Sequence, residues 1–592
     1  MSPHTTSKKS LAVASFLFLN TALAQVSLPS TAYLPPSADT GAVPSNSSST
    51  PNPQWSNLLG NLIYFYDAQR SGKLPDSNRV SWRNDSCLDD GKDAGLDLSG
   101  GYYDAGDYIK ATYPLSFALT EICWGALEYG QGYDLSNQTA YLDSMLRWGL
   151  DWMIKAHPSN DTLYVLVGDT NTDDAYWGGD QGIPTFRPSY QINDTSPGTD
   201  AAAGASAAFS ACSALYAGQT FPSSISSTSG PSLQNSSYAS LLLTHATQLY
   251  SFATNASGGQ RVYQDSVPAA SAAYGSSSFG DELTLAALFL AWSSNSSTYL
   301  AEAETLYSQN KFAGQDGVFN WDSKTPGLAV LFAQILTERP YLAGSTNLAT
   351  WQKEAERYFD NIVSGKSQGQ LTDGGLLWYD GDSDDASLNP ALNLAFLLSL
   401  YAPYVSSPSK LPAYTSYASS QLNYALGNNP MHVPYIVGTN PNSPRNPHSA
   451  LASGASPADI DQLNTVPAEE AYVLYGALLG GPDRQDRFFD IRSDWPETEP
   501  AVDINPPLMA LAALHVMNDT QDPFYTSLKA GMFDSVKPSG TPCDDAFPCK
   551  SGHGLSKGAK IAIAVIVTVV GLVIFGGAGY LFWRRGQMQK TY

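Results

Sequence analysis

A chain of 592 residues that is 43% apolar has ample material for a large core, and with only 14% charged residues it is not a charge-rich disordered polymer. Its net charge of −23 excludes nucleic acid as a partner, because no basic stripe is present to neutralise phosphates, and it argues against binding to anionic lipid headgroups.

Lys8 and Lys9 precede the apolar run LAVASFLFLNTALA, which ends in Ala22-Leu23-Ala24. Residues 1–24 therefore read as a signal peptide with a small-residue cleavage site. Residues 25–52 are rich in Ser, Pro and Thr and read as a flexible linker. From 53 to 520 the composition does not break, and helical periodicity dominates. The first pattern is QWSNLLGNLIYFYDAQRSG. Others follow near 113–129, 140–157, 200–216, 238–253, 281–293, 298–310, 325–338, 349–364, 391–404, 413–426 and 506–517, about twelve in all. ALNLAFLLSLYAPYV is apolar nearly all round, as a buried inner helix is, whereas WQKEAERYFDNIV carries a charged face and reads as an outer helix. The expected fold class is all-α. Alternating inner and outer helices can close into a six-hairpin toroid, an (α/α)6 barrel, and periodicity alone leaves an open helical array equally allowed. No fixed-period repeat is visible, so a solenoid is not supported.

Residues 521–560 read as a stalk. Ile561 to Trp583 is an uncharged apolar stretch of 23 residues, long enough to cross a bilayer. Arg584 and Arg585 follow it and assign residues 584–592 to the cytoplasm, although Lys557 and Lys560 on the other side blunt that signal. The alternative, a cleaved anchor-attachment tail, is disfavoured by the paired arginines. The chain is thus expected in the secretory pathway and at the cell surface, as a single-pass protein with an extracellular domain, and as a monomer. Nine Asn-x-Ser/Thr sequons, at Asn46, Asn84, Asn137, Asn160, Asn193, Asn235, Asn255, Asn295 and Asn518, fit that route. Cys543 and Cys549 flank a short acidic loop that they can close, and Cys87, Cys123 and Cys212 leave at least one thiol unpaired. No Cys-x-x-Cys or His-Glu-x-x-His occurs and the seven histidines are scattered, which argues against a zinc enzyme.

Two acidic loops carry the chemistry. In GGYYDAGDYIK, residues 100–110, Asp104 and Asp107 sit three apart around Gly106, which is expected to supply a backbone conformation closed to other residues, with Tyr102, Tyr103 and Tyr108 alongside. Two close carboxylates cannot both ionise freely, which suits a pair that holds and deprotonates a water. The bland alternative is one Asp capping the following helix and the other in solvent. In GGPDRQDRFFDIRSDWPETEPAVDIN, residues 480–505, Glu499 precedes Pro500 near Phe488, Phe489 and Trp495, and such surroundings can keep a carboxyl protonated. Hydrolysis of a glycosidic bond needs one carboxylic acid on the leaving oxygen and one carboxylate acting on water or as nucleophile. Aromatic neighbours offer stacking surfaces for sugar rings.

These segments, together with PGTD, FNWDSK, GGLLWYD and YALGNNPMHVPYIVG in the same order, resemble glycoside hydrolase family 9 over about 55–518. The resemblance implies an (α/α)6 barrel with an open cleft that hydrolyses β-1,4-glucans with inversion, and requires no cofactor. It assigns Asp107 as general base, Asp104 as the companion that helps hold the water, and Glu499 as general acid. Asp490 matches the acidic member of the same signature, and His448 a sugar-contacting histidine. Trp177, Trp321 and Trp378 become stacking candidates, the last two with core packing as the competing reading. Asp281 and Glu282 match part of a structural calcium site found in some members, and equally suit the start of a helix. Departures weaken the sugar subsites: the family's His-His-Arg reads His448-Ser449-Ala450, its Asp-His reads Asp173-Asp174, its Tyr-x-Ser-Trp-Ser reads YGSSSFGDE without the tryptophan, and the aromatic expected after the acid is Ile504. The expected function is endo-hydrolysis of cellulose or related β-glucans. The alternatives are an exo-acting or oligosaccharide-specific β-glycosidase on the same fold, acting for example on cellobiose or a glucosamine oligomer, and a non-catalytic wall-binding protein.

Overall fold

The side chain of Asn52 accepts hydrogen bonds from the Gln54 and Trp55 backbone N–H groups (2.8 and 3.3 Å), and with Pro53 in the first turn it starts the first long helix, α1 (Pro53–Ala68). In the computed structural model, which describes residues 25–221 and 230–549, further long helices follow. They are α2 (Thr112–Leu135), α3 (Thr139–Ala156), α4 (Thr199–Tyr216), α5 (Ser236–Asn255), α6 (Gly280–Ser293), α7 (Ser297–Gln309), α8 (Thr325–Glu338), α9 (Leu348–Val363), α10 (Leu388–Tyr401), α11 (Leu411–Ala425) and α12 (Asn505–Asn518).

The even-numbered helices pack in a ring, α2 on α4, then α6, α8, α10, α12 and back to α2. Each odd-numbered helix lies outside against an even one, and α1 pairs with α12, so the first and last long helices form the sixth hairpin. This is the (α/α)6 toroid. Burial follows the expected division. All of α10 except Ser399 is buried, whereas α9 buries Trp351, Ala355, Glu356, Tyr358, Phe359 and Ile362 and turns its other side outward. Helix α4, AAAGASAAFSACSALY after its first two residues, is so rich in small residues that its neighbours approach closely. Its buried hydroxyls are satisfied across that contact, Ser206 and Ser213 donating to the Ala246 and Ala239 carbonyls of α5 (2.8 Å each). A Cys123–Cys212 disulfide ties α2 to α4 and leaves Cys87 as the free thiol among the described residues.

Loops entering the inner helices converge at one end of the ring. None of the six inner helices has a side-chain N-cap hydrogen bond, while α1, α5, α7 and α9 of the outer layer do. Three antiparallel strands, β1 (Lys110–Ala111), β2 (Thr162–Val167) and β3 (Ser189–Asn193), brace two of these loops.

The chain packs beyond the expected limits of the domain. Segment 25–52 is held rather than free: Val26 N–H donates to Asp143 (2.6 Å), Tyr33 OH to Asn61 (2.6 Å) and Ser45 N–H to Asp522 (2.7 Å). The first part of the expected stalk is likewise fixed, with Tyr525 and Phe533 buried, Asn440 Nδ2 donating to the Tyr525 carbonyl (2.9 Å) and Phe533 N–H donating to Asn442 (3.1 Å). One compact unit therefore runs to Ser539, and Gly540 begins a second. Within that second unit Cys543 and Cys549 are bridged, as their spacing allows. Among the described residues no helix is long and apolar enough to cross a membrane. The signal peptide 1–24, the span 561–583 and the tail 584–592 lie outside the described residues.

Candidate active site

Asp107 and Glu499 line the same groove, of about 760 Å³, at the loop end of the ring. The turn that carries Asp107 is lashed from several directions. Gln69 Nε2 donates to the Ala105 carbonyl (2.7 Å), Ala450 N–H to the Gly106 carbonyl (2.7 Å) and Val502 N–H to the Asp104 carbonyl (2.9 Å). Gly106 N–H donates to Glu499 Oε1 (3.0 Å), which couples the two acidic loops directly. Glycine is required here by crowding rather than by an unusual backbone angle, since Gly106 is not among the residues at positive φ. A Cβ at this position would stand 2.1 Å from the His448 carbonyl oxygen and 3.0 Å from Glu499 Oε1. Neither aspartate caps the next helix, whose N-cap is Ala111.

The companion acid lies deeper. Asp104 is buried, accepts from Tyr274 OH (2.5 Å), and has its other oxygen buried without a hydrogen-bond partner among the described residues. Burial, reinforced by nearby carboxylates, raises it well above the usual range. Asp107 is also raised well above the usual range, first by burial and then by Asp173, Glu499, Asp104 and Asp174. The neighbouring Asp173 carboxylate accepts the Tyr108 and Ile109 N–H groups at Oδ2 (2.9 and 2.8 Å). The two backbone donors favour charge on Asp173, and burial still lifts that residue to about 6. Burial raises Glu499 too, opposed by His448 and by the Gly106 N–H. Asp503, on the same groove, is pushed up to about 7 by burial.

His448 also lines the groove. Its Nδ1–H donates to the Arg492 carbonyl (2.7 Å), its N–H donates to the Thr498 carbonyl (2.9 Å), and its ring lies 4.8 Å from that of Trp177. Asp490 does not line the groove. It is buried at positive φ and accepts from the Arg445 and Asn446 N–H groups (3.1 and 3.0 Å), so it holds the segment leading to His448.

Among the aromatic candidates, Trp177 and Trp321 line the groove, but Trp378 does not. Trp378 is buried in the short strand Leu377–Trp378 and is a core residue, as its alternative reading had it. The tyrosines of the Asp104–Asp107 turn correct another expectation. Tyr102, Tyr103 and Tyr108 are buried behind the turn, with Tyr103 edge-on to Tyr108 at 5.0 Å, so they pack the loop rather than stack on sugar. Phe488 and Phe489 are buried as well, and of that second loop's rings it is Trp495 that reaches the groove.

The two acids of the calcium expectation are largely engaged within the protein. Asp281 accepts from Lys324 N–H (2.6 Å) and Ser278 Oγ (2.9 Å). Glu282 accepts from Lys324 Nζ (2.9 Å) and Tyr113 OH (2.7 Å), so a protein ammonium already faces it. Glu282 Oε2 is buried without a hydrogen-bond partner, and among the described residues no cluster of three or more His, Cys, Asp or Glu side chains that could hold a metal comes together.

Sequence reasoning missed Tyr274 and Asp173 as site residues. Both stand in segments singled out for their departures, YGSSSFGDE and Asp173-Asp174, and an acid immediately beside a lost histidine was the available signal.

Residues 55–512 match the profile described as "Glycosyl hydrolase family 9". Endoglucanase A of Bacillus pumilus is 36% identical over 452 residues, 76% of this chain and 64% of its own length. The chain thus spans somewhat under two thirds of that relative. The endoglucanase structure from the termite Nasutitermes takasagoensis superposes with a TM-score of 0.68 at 34% identity, covering 78% of this chain and 99% of that one. Cellulase Cel9M of C. cellulolyticum, in complex with cellobiose, superposes with a TM-score of 0.67 at 28% identity, covering 78% and 98%. With a family match over most of its length and the corresponding toroid around its groove, the chain belongs to glycosyl hydrolase family 9.

Proposed function

We propose that this protein is an endo-β-1,4-glucanase that hydrolyses cellulose or related β-glucans with inversion. The observation that carries the reading is the single groove that Asp107 and Glu499 share, joined by the Gly106 N–H. Glu499 gives its proton to the leaving glycosidic oxygen as the C1–O bond breaks. Asp107 takes a proton from the water whose oxygen bonds to C1, and Asp104 helps hold that water. Asp490 acts by positioning the 445–448 segment, and His448 meets sugar beside the cleavage point. Trp177, Trp321 and Trp495 offer ring faces for stacking. The cellobiose complex of the Cel9M relative supports an oligosaccharide in this groove. Proton NMR of product freshly released from a soluble neutral β-glucan is expected to show the α-anomer first. A β-anomer would mean retention, and release of monomer without loss of viscosity would mean exo action.

The nearness of the Asp173 carboxylate to Asp107 sets an expected pH dependence. Asp107 works as base only when ionised, and the neighbouring Asp173 carboxylate opposes that ionisation. Asp173→Asn removes a like charge and supplies an amide donor, both of which lower the pKa of Asp107. The acidic limb of the kcat/KM–pH profile should therefore move to lower pH, by about one unit. An unmoved limb would separate Asp173 from the base.

The catalytic unit is proposed to face the cell exterior, secreted by residues 1–24 and anchored by 561–583, on the strength of the charges flanking both apolar runs. Protease added to intact cells should then remove the domain, and full protection would reverse the orientation.

A further inference from the structure

A second cavity, of about 280 Å³, lies at the end of the ring away from the groove, and the hydrolysis of glucan does not use it. The direction of the inner helices places it there. Ala386 and Asn389 at the start of α10 line the groove, whereas Ser399 and Ala402 at its end line the cavity. Likewise Asp503 and Ile504, just ahead of α12, line the groove, and Leu511, Leu514 and Asn518 further along that helix line the cavity. With Leu422 of α11 and Pro403 opposite, the walls are mainly apolar. A buried donor stands among them. Tyr129, at a kink in α2, lines the cavity, is buried, and its hydroxyl has no hydrogen-bond partner among the described residues. A hydroxyl in that state is costly unless a further group completes its hydrogen bond. The chain carries the means to bring one. Asn518 is exposed and begins the sequon Asn518-Asp519-Thr520. As the last residue of α12 it shares a helix face with Leu511 and Leu514.

We propose that Asn518 carries an N-linked glycan whose first N-acetylglucosamine folds back into this cavity, its acetamido methyl against Leu422 and Leu514 and its acetamido oxygen accepting from Tyr129 OH. The proposal rests on the reading of the chain as a secreted one and is independent of what the groove cleaves. In the transfer, Asn518 Nδ2 bonds to C1 of the sugar, the bond from that carbon to the pyrophosphate oxygen of a lipid-linked donor breaks, and the amide gives up one proton. A volume of about 280 Å³ lies at the small end of ligand pockets and suits one sugar ring rather than a chain. The acetamido group matches the lining in kind, since it sets an apolar methyl beside a strong acceptor. Seating it removes apolar surface from water on both sides.

The test uses the full-length chain made in a eukaryotic host and trimmed with an endoglycosidase that leaves a single N-acetylglucosamine on each occupied asparagine. Mass spectrometry of the peptide containing Asn518 is expected to find that sugar. Thr520→Ala abolishes the sequon and leaves Asn518 in place. It should lower the unfolding temperature of the trimmed protein by about 1–3 °C. Thr520→Ser keeps the sequon and should leave that temperature unchanged, which separates loss of the sugar from loss of the threonine. Tyr129→Phe should remove at least about half of the difference between chains with and without the sugar, as a double-mutant cycle reads for groups in contact. A bare Asn518 beside sugars on other sequons would overturn the proposal and leave the secretory reading intact. An unfolding temperature that Thr520→Ala does not move, one that Thr520→Ser lowers equally, or a Thr520→Ala shift of the same size in the wild-type and Tyr129→Phe backgrounds would overturn it as well. Absence of sugar from all nine sequons would bring down the secretory reading together with the proposal.

Discussion

Glu499→Gln and Asp107→Asn should each lower kcat on a β-glucan by about a thousandfold or more, the scale at which a positioned proton donor or acceptor operates. Both replacement side chains are nearly isosteric with the originals, so the variants test proton transfer rather than shape. In Glu499→Gln the new amide can still accept from Gly106 N–H through its oxygen, which keeps the link between the two acidic loops that Glu499 Oε1 makes at 3.0 Å. Thermal unfolding should therefore be little changed. Any small shift should be upward, because burial disfavours the charged form of both residues. The two losses should not multiply in the double variant, since acid and base act in one transition state. Near-normal turnover in either single variant would remove that residue from the chemistry.

Gly106→Ala should be damaging without touching any catalytic group. The added methyl would meet the His448 carbonyl oxygen at 2.1 Å, and that oxygen belongs to backbone held by the Thr498 carbonyl and by the Nδ1 bond to Arg492. Something in the junction of the 104–107 and 448–450 segments must move. A misplacement of roughly 1 Å can cost about a hundredfold in rate. The expected result is a loss of that order in kcat/KM, with a stability loss of about 1–3 kcal/mol read from denaturant unfolding. Retained activity would mean that the loop relaxes freely, contrary to its four hydrogen bonds to other segments.

The helical frame was legible because each long helix carries its own apolar stripe, a local property. Even the division into inner and outer helices could be read, as ALNLAFLLSLY and WQKEAERYFDNIV show. Closure of the ring could not be read from periodicity, since it depends on α1 meeting α12 across nearly the whole chain, and was expected only from the family resemblance. The acids were found because two motifs placed them. Their surroundings were hidden: nothing local distinguishes Trp378, buried behind its strand, from Trp177, which opens onto the groove. The role of Gly106 was misread for the same reason, because the atom that excludes a side chain comes from His448, more than three hundred residues away. Composition also misled at the edges of the domain. Ser, Pro and Thr mark segment 25–52 as a tether, yet hydrogen bonds from Val26, Tyr33 and Ser45, among others, hold it down.

The pairing of α1 with α12 has a bearing on how the protein is made. Until α12 leaves the ribosome, the buried side of α1, including Trp55, Leu58, Leu62 and Phe65, lacks its final cover. The nascent chain must carry that sticky surface through almost all of its translation, which exposes it to aggregation and to chaperone capture. The last hairpin thus behaves as a clasp fastened at the end of synthesis, and truncations ahead of residue 505 should yield species that aggregate or are degraded.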